Sequence, residues 1–456
     1  MKVLDVGSAL DEGAWSAYQK LLVVGTALAI ILDGLDNQLL AAALPAIMRE
    51  WHLPRAAFAT VLASGLVGMM IGGAIGGFVG DRIGRRPTLL ASVITFGLLT
   101  VVVSFSRGVA TLGVLRFLAG LGLGGAMPNA AALSSEYVPL RHRPFAVTLT
   151  IVCIPLGGTL AGLMGAQILP RYGWRVLFLV GGIVPLVLAA VLLRVLPESP
   201  RFLAGARERW PELVALLRRL GHDVPNDATF ADTREKAVAR PSPRELLVPE
   251  FRRDTLALCA SFFFCLLSVY VGANWVPSLL TTAGFRPAIA GYGLTAFNLG
   301  GVVGAIAGAI VIGRFGSRIT MLSMSAGAIG GAALLASAPI GAQSALAVLA
   351  MLAWTGGLIN AVQTTMYALA AHAYPTGIRA TGVGTAVAFG RIGGVVSPYV
   401  GAWALESGGA SLMFAVIAST MTLVFAALAA VRNHIPRLQL YRQRSARLSA
   451  ERGTLA

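Results

Sequence analysis

Apolar stretches of about 20 residues recur along almost the whole chain, and each is long enough to cross a bilayer core about 30 Å thick. Only 12% of the 456 residues are charged. Soluble domains carry roughly 25% charged residues. The pattern therefore excludes a soluble globular protein and predicts a membrane protein with many transmembrane helices.

The stretches divide six and six around a polar segment. We expect an all-α membrane protein with two pseudo-symmetric halves, an N-terminal six-helix bundle (1–196) and a C-terminal six-helix bundle (254–433). A cytoplasmic linker (197–253) joins the halves, and a basic cytoplasmic tail (434–456) follows. The predicted transmembrane helices cover residues 20–46, 57–80, 88–106, 110–136, 144–169, 174–196, 255–280, 290–312, 319–338, 343–371, 381–404 and 411–431.

The linker contains one amphipathic stretch. Its leucines recur at helical spacing, and Arg218 and Arg219 fall on the opposite side. The leucines are Leu213, Leu216, Leu217 and Leu220. We interpret the stretch as a helix that lies along the cytoplasmic face of the membrane.

The net charge of +16 does not indicate a nucleic-acid partner. With both termini in the cytoplasm, most of the 36 Lys and Arg fall in cytoplasmic segments. This distribution is the positive-inside bias of membrane proteins. We expect the basic tail to contact the lipids of the inner leaflet.

Two aspartates, Asp33 and Asp36, interrupt the first apolar stretch. They are three residues apart and therefore share one face of a helix. An acid at bilayer depth costs roughly 2.5–3.5 kcal/mol on insertion scales, so acids retained there usually have a function. We predict that the pair binds a coupling proton. A purely structural role, in which both acids pair with arginines or cap backbone groups, stays open.

Two arginines, Arg116 and Arg391, also lie within apolar stretches. A guanidinium in a low-dielectric cavity is a bidentate receptor for a carboxylate. Small residues surround Arg391 and leave room for a ligand, so we predict that it binds a substrate anion. Arg116 is predicted to be a coupling or structural partner of Asp33 or Asp36. A structural ion pair is the alternative for Arg391.

The halves repeat each other weakly. The loop Asp81–Arg86 after the second stretch corresponds to Gly313–Arg318 after the eighth, and Glu136–Arg143 corresponds to His372–Arg379. A duplicated six-helix unit is typical of secondary transporters, in which the substrate binds near the midplane between the repeats.

The residues Gly120–Gly125 match the spacing of a dinucleotide-binding loop, but that loop requires a preceding strand and a βαβ unit. Here the glycines lie within an apolar helix, where small residues allow close helix packing. The chain has no metal-ligand spacing and no catalytic constellation, and its three cysteines fall in apolar stretches. We therefore expect no enzyme activity, no metal and no cofactor.

Several motifs resemble the major facilitator superfamily. The segment Gly77–Arg86 is similar to its signature loop between the second and third helices, and Arg116 with the glycines that follow is similar to its fourth-helix motif. Pro197–Arg201 after the sixth helix also fits. At the position that Asp81 occupies in the first copy of the loop, the second copy has Gly313. This departure weakens the inner gate that the resemblance implies for the C-terminal half.

Within that superfamily the chain resembles the aromatic acid:proton symporters. The resemblance rests on Asp33–Asp36, Gly124–Asn129, Asn274–Pro277 and Tyr374–Gly384. It implies proton-coupled uptake of benzoate, hydroxybenzoate, phenylpropionate or aryloxyacetate anions through a bacterial inner membrane. We expect a monomer.

Aromatic substrates need flat apolar contacts and a few polar groups. The candidates for these contacts are Tyr270, Asn274, Trp275, Phe297, Asn298, Gln363 and Tyr367. Each of these side chains has helix packing as its alternative role.

The resemblance also implies an intracellular gate, in which charge pairs between helix ends and loops hold the outward-facing state. The candidates are Asp81, Arg82, Arg85, Arg86, Glu136, Arg143 and Arg379. His372 occupies the position that matches Glu136. It is either a further member of the gate or a histidine that is simply exposed to solvent.

Other functions stay open. A proton-driven exporter or a carrier of another organic acid would use the same buried charges, because these do not set the direction of transport. A membrane receptor for aromatic acids is a third candidate, although the chain has no large signalling domain.

Overall fold

The computed structural model describes residues 3–13, 15–222, 224–225, 229–231, 243–341, 344–375 and 377–437, and these are mostly helical. The elements run in the order β1 (Val3–Asp5), α1 (Val6–Glu12), α2 (Ala17–Trp51), α3 (Arg55–Ile83), α4 (Arg85–Val103), α5 (Val109–Tyr137), α6 (Arg143–Val195), α7 (Pro200–Gly205), α8 (Trp210–Arg219), β2 (Thr229–Ala231), α9 (Pro249–Thr282), α10 (Pro287–Phe315), α11 (Ser317–Ser337), α12 (Ala345–Ala373) and α13 (Arg379–Ala430). Short 3-10 turns cover Leu140–His142, Arg207–Arg209 and Pro243–Leu247.

Ten of the described helices are long and apolar enough to cross a membrane. Two of them, α6 and α13, have 53 and 52 residues, which is far more than one crossing requires. Each is broken at a glycine with positive φ, Gly173 at 76° and Gly409 at 61°. Glycine adopts this conformation without the steric cost that a side chain brings. The ten helices therefore supply twelve crossings, which confirms the predicted all-α fold.

The glycines of α3 and α5 bring these helices into close contact. A Cβ atom on Gly72 would overlap the backbone of Leu121, and one on Gly120 would overlap the carbonyl oxygen of Gly65. Gly124 meets α3 in the same way, at the backbone of Met69. The glycine run that matches a dinucleotide-binding loop is thus a helix-packing surface, as small residues in membrane helices commonly are.

The chain divides into two compact units. The first comprises Met1–Ala239 and Arg286–Thr295, and the second comprises Arg240–Phe285 and Ala296–Ala456. The hydrophobic core of each unit lies among its long helices.

The first unit also contains a small cluster outside the long helices, which we call the N-terminal cap. In it, β1 pairs in parallel with β2, and Leu4 lies opposite Phe230. The apolar side of α8 belongs to the same buried cluster as Val6 and Leu10 of α1. The cap comprises Val6, Leu10, Leu203, Ala204, Leu213, Leu216, Leu217, Leu220, Val224 and Phe230. The leucines of the predicted amphipathic stretch are therefore covered by protein within this cap.

In the second unit, the segment after α13 docks on α9 and α11. The Asp254 carboxylate accepts hydrogen bonds from the backbone N–H groups of Arg432 and Asn433 at 2.8 and 3.2 Å. Ile435 and Ser317 exchange two further bonds, and His434 Nδ1 lies 3.0 Å from Ser317 Oγ. Burial lowers the pKa of His434. The remainder of the predicted basic tail, 438–456, lies outside the described residues.

Candidate functional site

A buried polar network joins three helices of the first unit. Asp36 of α2 is fully buried, and Arg116 of α5 is only 4% exposed. Arg116 Nη2 donates to the Asp36 carboxylate oxygen Oδ2 at 3.2 Å and to the Asp36 backbone carbonyl at 3.0 Å. The hydroxyl of Thr100, on α4, donates to the other carboxylate oxygen, Oδ1. Charge-assisted bonds of this kind are stronger than neutral ones. The network therefore fixes Asp36 in one orientation.

Asp33 lies one turn before Asp36 and is also buried. Between the two acids, Gly34 lies directly against α6, because a Cβ atom on it would overlap the carbonyl oxygen of Ile154. Gly157 of α6 makes the reciprocal contact with Ile31 of α2. The missing side chains allow the two backbones to touch at the level of the acids, which places Asp33 and Asp36 in a tightly packed region.

The structure thus decides between the two partners that the sequence left open for Arg116, and the partner is Asp36. Sequence reasoning missed Thr100. Buried threonines of membrane helices usually bond to a carbonyl of their own helix, as Thr150 and Thr159 do here. No local signal distinguishes Thr100 from these.

A second group of candidates meets in the second unit. Arg391 is half-buried on α13, and Tyr270 and Tyr367 are half-buried on α9 and α12. The Tyr367 hydroxyl lies within electrostatic range of both Arg391 and Tyr270. The Tyr270 ring packs where Gly394 leaves space, about one turn beyond Arg391. Three helices therefore bring together a cation and two aromatic rings, a chemically suitable combination for an aromatic anion.

Asn274 and Trp275 follow Tyr270 by about one turn of α9 and are buried. Asn274 Nδ2 and Trp275 Nε1 have no hydrogen-bond partner among the described residues. A buried donor without an acceptor is costly, so an acceptor on a ligand would stabilise these groups. The Trp275 ring also fills the space left by Gly401 of α13.

The other predicted contact residues differ in their surroundings. Phe297 is buried between Gly272 and Gly356, and a Cβ atom on either glycine would lie 2.6 Å from its ring. These contacts are helix packing. Asn298 is buried beside Phe297 on α10, whereas Gln363 is half-buried one turn before Tyr367 on α12.

Part of the predicted intracellular gate forms one network. Arg85 pairs with Glu136 and reaches Asp81 at 3.5 Å, although Asp81 is 73% exposed. Glu198 accepts hydrogen bonds from the backbone N–H groups of Arg85 and Arg86 at 3.1 and 3.0 Å. An acid at a helix N-terminus satisfies free N–H groups and complements the helix dipole. The network therefore ties the start of α4 to the segment after α6.

The remaining gate candidates bind elsewhere. Arg143 pairs with Asp11 of α1, and Arg201 reaches the same carboxylate at 3.5 Å. Arg82 lies over the Phe78 ring at 4.1 Å. In the second unit, Arg379 donates to the backbone carbonyl of Tyr374 at 3.4 Å.

Sequence reasoning missed Asp11, Glu198 and Ser199 as site residues. The Ser199 hydroxyl donates to Glu136, and Ser199 also caps α7 through Phe202 at 3.2 Å. Pro197–Pro200 carried a usable signal, since an acid and a serine before a proline at the first helical position predict a capped helix start. Nothing local singled out Asp11.

The family model described as Major Facilitator Superfamily matches residues 26–398 and 256–450. The chain belongs to this superfamily and, within it, to the aromatic acid transporters. Members of the major facilitator superfamily are transporters and not enzymes, so the chain is a multi-pass membrane transporter.

Two relatives illustrate the similarity. The chain is 34% identical to the gallate transporter of Pseudomonas putida over 438 residues, which covers 96% of each chain. It is also 34% identical to the 4-hydroxybenzoate transporter PcaK of Pseudomonas aeruginosa, over 89% of this chain and 90% of that one. Among solved structures, the D-xylose-proton symporter has the same major facilitator fold, with a TM-score of 0.67 and 19% identity over 92% of this chain and 99% of that chain.

Proposed function

We propose that this protein takes up an aromatic carboxylate together with protons, by alternating access across the bacterial inner membrane. The substrate class comprises benzoates, hydroxybenzoates, phenylpropionates and aryloxyacetates. Both termini lie in the cytoplasm, the protein is a monomer, and the proton is its only coupling ion.

The main support for coupling is the buried network around Asp36. A carboxylate at this depth, held by Arg116 and Thr100, is a group that can bind and release a proton inside the membrane. Asp33 on the same helix doubles the number of available carboxylates. The proposal assigns the coupling proton to this pair, with Arg116 as the counter-charge.

The main support for an aromatic anion is the group formed by Arg391, Tyr270 and Tyr367. A guanidinium pairs with the carboxylate of the substrate, and the tyrosine rings contact its apolar faces. The two relatives transport gallate and 4-hydroxybenzoate, which are molecules of this class. Asn274 supplies an additional hydrogen-bond donor for a polar ring substituent.

The charge network at Arg85 and Glu136 supports alternating access. In the proposed cycle, these pairs form in one state and break in the other, so their energy differs between the two states. Asp81 and Arg86 join the same network, and Arg82 and Arg143 are proposed to engage it in other states.

Uptake of radiolabelled acids into proteoliposomes tests the proposal. The panel runs from benzoate and hydroxybenzoates to phenylpropionate and aryloxyacetates, with and without an inward proton gradient. We expect gradient-dependent accumulation of at least one acid, and no accumulation in protein-free liposomes. Accumulation driven only by an outward gradient would indicate an exporter, and binding without accumulation would indicate a receptor.

A further inference from the structure

The hydroxyl of Thr100 donates its hydrogen bond to a residue of a different helix. Thr100 is fully buried on α4, and its hydroxyl donates to Oδ1 of Asp36 on α2. Two other buried threonines of this unit donate locally instead: Thr88 to the Gly84 carbonyl at 2.8 Å and Thr150 to the Ala146 carbonyl at 2.9 Å. A hydroxyl has only one proton to donate. Thr100 therefore uses it for the coupling carboxylate and not for its own backbone.

Within the first unit, the apolar parts of the helices that contact α2 carry few ionisable side chains. In the sequence, α3 has no ionisable side chain between Arg55 and Asp81, and α4 has none after Arg86. Arg116 is the charged residue in the apolar part of α5. Near Gly34, α6 contributes Cys153, and α2 itself contributes Asp33. Arg116 can only donate hydrogen bonds, whereas a protonated carboxyl also has a proton of its own to donate.

Thr100 differs from Arg116 in that it suits both protonation states. A hydroxyl donates to an ionised carboxylate, and after a rotation about its C–O bond it accepts a hydrogen bond from the protonated acid. We propose that Thr100 is a positioning residue for the coupling proton, which keeps Asp36 in one place while the acid gains and loses that proton. In this step a proton from the aqueous phase adds to an Asp36 oxygen, later leaves to water, and no other covalent bond changes. The proposal rests on the proposed function.

The test uses two substitutions at Thr100 in proteoliposomes. Thr100→Val keeps the shape and removes the hydroxyl, whereas Thr100→Ser keeps the hydroxyl. Thr150→Val is the matched control, because it removes a buried hydroxyl that bonds only within its own helix among the described contacts. Each variant is measured for gradient-driven accumulation and for counterflow exchange at equal pH on both sides.

We expect Thr100→Val to reduce the accumulation ratio by about tenfold, the effect of losing one hydrogen bond to a charged group. Counterflow should stay within about twofold, because exchange does not require the acid to release its proton. Thr100→Ser and Thr150→Val should accumulate substrate within about twofold of the wild type.

Wild-type accumulation by Thr100→Val would overturn the proposal. An equal loss of both activities in Thr100→Val, with no rescue by Thr100→Ser, would also overturn it and indicate a packing role. If Thr100→Val does not fold, Thr100→Ala is compared with Thr100→Ser by the same two assays. Failure of the wild type to accumulate any acid would instead refute the proposed function, and so the two failures are distinguishable.

Discussion

The ion pair between Asp36 and Arg116 makes a quantitative prediction about stability. Both side chains are at least 96% buried, Arg116 being 4% exposed. Removing one partner of a buried pair costs about 3–5 kcal/mol, because the other charge is left uncompensated. The two partners are not equivalent, however. Asp36 can bind a proton and lose its charge, whereas Arg116 cannot be deprotonated in a protein.

We therefore expect an asymmetry between the two single variants. Asp36→Asn leaves Arg116 as a buried charge without its counter-charge and should lower the free energy of unfolding by about 3–5 kcal/mol. Arg116→Gln leaves an acid that can neutralise itself and that keeps the Thr100 hydrogen bond, so its cost should be only about 1–3 kcal/mol. The double variant Asp36→Asn/Arg116→Gln removes both charges of the pair and should be more stable than Asp36→Asn alone.

Chemical unfolding in detergent micelles, followed by tryptophan fluorescence, measures these differences. The double-mutant cycle isolates the coupling between the two residues. Thr150→Val reports the cost of an ordinary buried hydroxyl in the same unit. Equal losses in the two single variants, together with additive losses in the double variant, would refute the reasoning.

Four further predictions follow from other parts of the structure. Arg391→Ala should weaken binding of an aromatic acid at least about tenfold, as measured by calorimetry. Arg391→Lys, which keeps the positive charge, is the matched control. Unchanged affinity in Arg391→Ala would exclude an anion site there. Asn274→Leu should weaken a hydroxybenzoate more than benzoate by about tenfold, because a lost donor matters most to a polar substituent, and equal effects on the two acids would contradict this role. Leu216→Glu should place a charge in the N-terminal cap and make residues 3–13 susceptible to limited proteolysis. The control Arg219→Glu changes an exposed residue of the same helix and should leave residues 3–13 resistant. Burial lowers the pKa of His434, so docking of the segment after α13 should be strongest above the ordinary histidine pKa of about 6.5 and should weaken as the pH falls below it. Hydrogen exchange at residues 431–437 measures this docking. His434→Gln should remove the pH dependence.

The twelve membrane crossings and their helical class were predictable from the sequence alone. A membrane helix needs an apolar stretch of sufficient length, and length and composition are local properties of the chain. The same locality made Asp33, Asp36, Arg116 and Arg391 conspicuous, since a charge in an apolar stretch is visible without any partner. The glycine run of α5 was also correctly interpreted as a packing surface.

The partners of these residues were decided by the tertiary structure. The helical period shows which residues share a face, but it does not show how far neighbouring helices are rotated or shifted. That placement selected Asp36 over Asp33 for Arg116 and brought Thr100 to the same carboxylate. It also covered the leucines of α8 with the N-terminal cap, because an apolar face is equally suited to lipid and to protein. The sequence by itself determined which groups enter the membrane, whereas only the packing of the helices decided which of them meet.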